Sequence, residues 1–217
     1  MTLSRRDLGF GLASLAALAA LPAHAQANLS AQANLSAQDR AALARAQGYL
    51  QALTSAQGTF VESGAGGQRR EGRFYLQRPG RMRFEYTSPA GLLVVSDGYN
   101  VKRWDPRLNV FRQVPLGQTP LSTFLARNVR LDQGVRIDRV QQSAGGGIVI
   151  TARDQRRPND GSVTLVFGGA PMRLLEWTIA DAQGASTRTQ LTQLSPAPNL
   201  NAALFRLTDP TRRPGRN

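Results

Sequence analysis

The sequence predicts a mainly β protein, one large antiparallel sheet or barrel with a few helices. Three observations predict it. From Gly58 onward, short runs alternate apolar and polar residues. Arg81-Met82-Arg83-Phe84-Glu85-Tyr86 puts its charges on one face and Met82, Phe84 and Tyr86 on the other. Turn residues separate these runs at near-regular spacing, giving about ten to twelve strands. Helical periodicity is confined to one stretch before the strands and one short stretch among them.

The elements follow in order. Arg5 and Arg6 precede an almost wholly apolar run from Leu8 to Leu21, and Ala23-His24-Ala25 supplies a small-x-small cleavage signal. Residues 1–25 are therefore read as a secretory signal peptide. The run is shorter than the ~20 residues that a bilayer span needs. Ser4-Arg5-Arg6-Asp7-Leu8 resembles a twin-arginine export motif, and Sec export is the other route. No cysteine follows the cleavage position, so the protein is not expected to be a lipoprotein itself. Residues 26–36 form a linker within an exact hexapeptide duplication, Ala25 to Ser30 and Ala31 to Ser36.

Residues 37–210 are read as one domain. Ser36 is placed to cap a helix, with Asp39 in its first turn and Leu43, Ala46, Leu50 and Leu53 along one face. The helix ends before Gly58. Leu92 to Val95 is a continuous apolar strand, followed by the hairpin signal Asp97-Gly98. Further strands are expected at 100–104, 110–114, 135–140, 148–151, 163–167, 172–179 and 186–194, with glycine turns at 64–67 and 145–147. Thr119-Pro120 is an N-cap with proline at the first helical position, and Leu121, Phe124 and Leu125 share a helical face. This helix is expected to run to about Asn128. Nothing in an antiparallel barrel requires it, so it reads as a plug or lid, or as an ordinary sheet-covering helix. Residues 211–217, with Arg212, Arg213, Pro214 and Arg216, form a solvated basic tail.

Composition limits the chemistry. The 217 residues suit one domain with a sizeable core. The net charge is +13, from 27 basic and 14 acidic residues, and Lys102 is the only lysine. Cleavage after Ala25 would remove His24, the only histidine, and the chain has no cysteine. That excludes Ser-His-Asp and Cys-His catalysis and imidazole or thiolate metal sites. Glu62, Glu71 and Glu85 leave a carboxylate-pair enzyme conceivable, although solvated strand-face charges are the simpler reading. No glycine-rich phosphate loop follows a strand and opens a helix. The basic residues are scattered over strands without a reading motif, which argues against nucleic acid.

Three segments, in order, resemble the outer-membrane lipoprotein carrier (LolA) family. The first is Gln77-Arg78-Pro79-Gly80 leading into the alternating strand that ends at Tyr86, followed by Ser88-Pro89. The second is Val94-Val95-Ser96-Asp97-Gly98 with Trp104 and Asp105 beyond it. The third is Thr119-Pro120 through Leu125-Ala126-Arg127-Asn128. The resemblance spans about Leu35 to Thr208. It implies an unclosed antiparallel β-barrel with a helical lid over a hydrophobic cavity. It also implies a periplasmic, non-enzymatic, monomeric carrier that needs no cofactor and makes only transient membrane contact. Its cargo would be acylated lipoproteins. Its partners would be an inner-membrane ABC complex that releases lipoproteins and an outer-membrane acceptor. Met82, Phe84, Tyr86, Leu92, Val94 and Trp104 would line the cavity. Arg78 would lock the lid, and Pro120, Leu121, Phe124 and Leu125 would belong to it. Phe84 stands where the family pattern has tryptophan. A carrier of another lipid, or a periplasmic lipid-sensing regulator on the same sheet, would share the pattern.

Overall fold

The computed structural model describes residues 35–64, 66–119 and 121–212. The signal-peptide and linker readings therefore fall mostly outside the described residues, as do Pro120 and all of the basic tail except Thr211 and Arg212.

Helix α1 spans Ala37–Ala52. The Ser36 hydroxyl caps it by accepting from the Asp39 amide at 3.0 Å. Ala42, Ala46 and Leu50 form its buried face. Eleven strands follow: β1 (Ser55–Ser63), β2 (Arg69–Gln77), β3 (Arg81–Ser88), β4 (Leu93–Asp97), β5 (Asn100–Asp105) and β6 (Val110–Pro115), then β7 (Val135–Gln142), β8 (Ile148–Asp154), β9 (Gly161–Gly168), β10 (Arg173–Asp181) and β11 (Ser186–Pro196). All pair antiparallel in one sheet, in the order β6-β5-β4-β3-β2-β1-β11-β10-β9-β8-β7. Two meanders are thus joined where the first strand pairs with the last. The edges, β6 and β7, do not pair, so the sheet is unclosed.

This order gives the segment between β6 and β7 a task that the sequence reading did not see. The chain must pass from one edge of the sheet to the other, so a crossing segment, residues 116–134, is a topological necessity. Its helix is also shorter than expected. Helix α2 is the single turn Leu121–Phe124, preceded by a 3-10 turn at Leu116–Gln118. The Thr119 hydroxyl donates back to the Leu116 carbonyl at 2.8 Å instead of capping α2. Past Phe124, tertiary partners described below take the backbone groups that a longer helix would have paired internally.

Strand register fixes which residues face inward. Phe74 is opposite Phe84, and Leu76 is opposite Met82. Gly58 sits between Phe74 and Leu194, beside a bulge at Thr59/Phe60. A Cβ at Gly58 would lie 1.9 Å from the Gln193 carbonyl oxygen, so only glycine fits there. Two apolar clusters fill the concave side. One joins α1 to β7, β8 and β9 around Ile148, Ile150 and Phe167. The other gathers Phe60, Phe74, Met82, Phe84 and Tyr86. Trp177 packs against both. A second 3-10 turn, Ala202–Phe205, buries Phe205, and the Arg83 guanidinium donates to the Leu204 carbonyl at 3.0 Å.

Candidate functional site

The two clusters do not meet perfectly. Between them lies an apolar cavity of about 100 Å³. Its sheet wall includes Phe74, Met82 and Phe84 from the first meander and Leu165, Trp177 and Leu191 from the second. Its roof is Leu50 and Leu53 at the end of α1, with Leu121, Phe124 and Leu125 of the crossing segment. Edge-to-face contacts fix the aromatic wall: Phe60 on Phe84 at 4.8 Å and Phe84 on Trp177 at 6.0 Å between ring centroids.

Arg78, in the turn between β2 and β3, reaches both parts of the roof. Its Nε donates to the Phe124 carbonyl at 2.8 Å, and its Nη1 donates to the carbonyls of Leu53, at 2.9 Å, and Leu50. These are last-turn carbonyls of α1 and the final carbonyl of α2, which lack helical partners and favour a cation. Burial pushes the guanidinium pKa down to about 10, so it stays charged at neutral pH. The Gly80 amide donates to the Leu125 carbonyl at 2.7 Å.

Two glutamines on α1 hold the rest of the crossing segment. Gln51 donates to the Arg127 carbonyl at 3.0 Å and accepts from the Val129 amide at 2.7 Å. Gln47, one helical turn earlier, accepts from the Leu131 amide at 2.9 Å. Residues 127, 129 and 131 follow one another along this irregular stretch, and side chains four apart on a helix lie on one face to meet them. At the opposite end of the concave face the wall turns polar. The buried Tyr86 hydroxyl donates to Glu62 at 2.8 Å, and Arg70 pairs with Glu62 at 3.1 Å. Burial, and then the Glu62 carboxylate, push the Tyr86 phenol well above the usual tyrosine value.

The structure gathers Arg78, Met82, Phe84, Leu121, Phe124 and Leu125 around one cavity. Tyr86 and Leu92 are buried in the same cluster without lining that cavity, and Val94 packs at its margin. Trp104 requires a correction. It pairs with Leu93, which pairs with Glu85, whereas Val94 pairs with Phe84. Trp104 therefore stands on the convex face, outside the cavity wall. Pro120 lies outside the described residues. Sequence reasoning missed Phe74, Leu165, Trp177 and Leu191 as wall residues. The alternation Val163-Leu165-Phe167 carried a signal for the second meander, but nothing in the sequence singled out Gln47 or Gln51.

A sequence model of the family described as outer membrane lipoprotein carrier protein LolA matches residues 51–208. The chain belongs to this family. An outer-membrane lipoprotein carrier protein of Methylibium petroleiphilum is 31% identical over 167 residues, covering 75% of this chain and 77% of its own. One from Bordetella avium is 29% identical over 189 residues, covering 78% and 88%. Among solved structures, a LolA superfamily protein from Nitrosomonas europaea matches with a TM-score of 0.41 at 11% identity, over 71% of this chain and 91% of its own. Among the described residues of this LolA-family chain, no helix is long and apolar enough to cross a membrane. Nor do three or more His, Cys, Asp or Glu side chains among them group to hold a metal ion.

Proposed function

We propose that the protein is a periplasmic carrier. It takes up the acyl chains of lipoproteins released from the inner membrane and hands them to an outer-membrane acceptor. The observation that carries this reading is the apolar cavity whose roof is held down by Arg78. An acyl chain in water costs roughly 0.8 kcal/mol per exposed methylene, so a carrier between membranes must enclose it. A wall of Phe, Met, Leu and Trp does so without any reactive group, and the protein acts by binding, not catalysis.

At about 100 Å³ the cavity is smaller than the ~150 Å³ that holds a benzene-sized guest, so an acyl chain needs more room than this arrangement gives. Loading requires α1 and the crossing segment to lift from the sheet as a lid. Each charge-assisted bond from Arg78 contributes on the order of 1.5–3 kcal/mol to closure. Cargo must break these bonds on entry and they re-form on release, which favours handover over retention.

The test uses protein from Gln26 onward, added to spheroplasts that make a labelled triacylated lipoprotein, with an unacylated version as control. Acyl-dependent release of the lipoprotein as a soluble complex with this protein is expected. If folded protein releases none, the carrier reading fails, and lipids co-purifying with the protein would then identify another cargo or a lipid-sensing role.

A further inference from the structure

A second cavity of about 320 Å³ adjoins the first. It opens where β8 and β10 end and β9 begins. Phe124 and Val163 line both cavities, so they form the partition between them. The lining combines apolar side chains of Phe124, Val135, Ala152 and Val163 with two guanidinium groups, Arg153 and Arg157, and three carboxylates, Asp154, Asp160 and Asp181. Arg153 is firmly held, with its Nε 2.6 Å from Asp138. Arg157 is held loosely. It lies 3.5 Å from Asp154 and 3.7 Å from Asp160, and it reaches the Gly117 carbonyl of the crossing segment at 3.4 Å.

We propose that this second cavity receives the polar junction of the cargo, the ester and amide carbonyls through which acyl chains join the polypeptide, with Arg157 donating to them. The inference rests on the carrier reading and deepens it. Carbonyls of this kind are acceptors only. In the apolar cavity the described lining offers one charged donor, Arg78, which already serves Leu50, Leu53 and Phe124, and one neutral donor, the Trp177 indole N–H. Burying the junction there would leave acceptors unpaired, which is unfavourable. The neighbouring cavity, one side chain away, offers a guanidinium whose present contacts are all long, 3.4 to 3.7 Å, and which a closer acceptor could draw from Asp154 and Asp160. The latched residue is also one the cavities share: Arg78 holds the Phe124 carbonyl, and Phe124 lines both cavities. Releasing the latch therefore frees the partition and lets an amphiphile lie across both.

The experiment uses a synthetic triacylated lipopeptide whose first residue after the acylated cysteine is p-benzoylphenylalanine. It is bound to the protein and irradiated, and the products are mapped by mass spectrometry. Most crosslinks are expected within residues 152–163 and 181–183. Arg157→Glu is expected to lower lipopeptide affinity about tenfold while affinity for hexadecane, which has no acceptor group, falls less than twofold. Crosslinks confined to other segments, or an equal loss for lipopeptide and hexadecane, overturn this inference and leave the carrier reading standing. Folded wild-type protein that binds neither ligand overturns both.

Discussion

Gln51→Leu should loosen the crossing segment without unfolding the sheet, and the size of the effect follows from two hydrogen bonds. The substitution removes the donor to Arg127 and the acceptor for Val129. Neutral bonds contribute about 0.5–1.5 kcal/mol each, and Val129 is only 1% exposed, so its amide would be left without a partner. A loss of ~2 kcal/mol in local stability corresponds to roughly 30-fold more frequent opening. Native-state hydrogen exchange reads this directly. The Val129 amide should exchange about 30-fold faster, while amides in the β1–β11 pairing stay unchanged. Gln51→Glu keeps the acceptor and loses the donor, so Val129 should remain partly protected. A Val129 rate within threefold of wild type in Gln51→Leu would refute the claim that α1 and the crossing segment are stitched together by side chains.

Two further outcomes are expected. Arg78→Leu should fold, bind acylated cargo more tightly and slow transfer to acceptor-containing vesicles tenfold or more, since the closed form loses its charge-assisted bonds; transfer at the wild-type rate would count against the latch. Tyr86 titrates with a sign that can be worked out. Its folded pKa is raised, so above the unfolded value of ~10 the unfolded chain loses a proton that the native protein keeps. Stability is then intact below pH ~10 and falls above it by up to about 1.4 kcal/mol per pH unit. Urea midpoints at pH 9 and 11 should show a larger drop for wild type than for Tyr86→Phe.

Much of this architecture could be read from sequence, and the misses have physical causes. Met82, Phe84 and Tyr86 alternate so strictly with charges that their shared face was unambiguous. Trp104 failed because β5 mixes its sets: Val101 and Arg103 face inward, Lys102 and Trp104 outward. Polarity alone cannot orient such a strand, and only the register through Val94 and Phe84 does. The second meander's wall was hidden because its partners in the first lie far away in sequence, as Trp177 does from Phe84. Helix α2 was overextended because local signals are blind to Arg78, Gly80 and Gln51, which claim the backbone groups after Phe124. Gln47 and Gln51 carried no signal because the amides they hold, Leu131 and Val129, lie about eighty residues on.

The pairing of β1 with β11 has a kinetic consequence. The hydroxyls of Thr59 and Thr192 sit 2.7 Å apart although 133 residues separate them. Every other strand pair except this one joins neighbours in sequence, so each meander can form by local hairpin closure, but the seam must wait for the last strand to emerge. Folding should therefore end with a slow docking step. Until it is complete, β1 carries an unpaired edge and Phe60 lacks its partner Leu191. In a chain made N-terminus first, β1 is thus the first strand present and the last to find both of its partners.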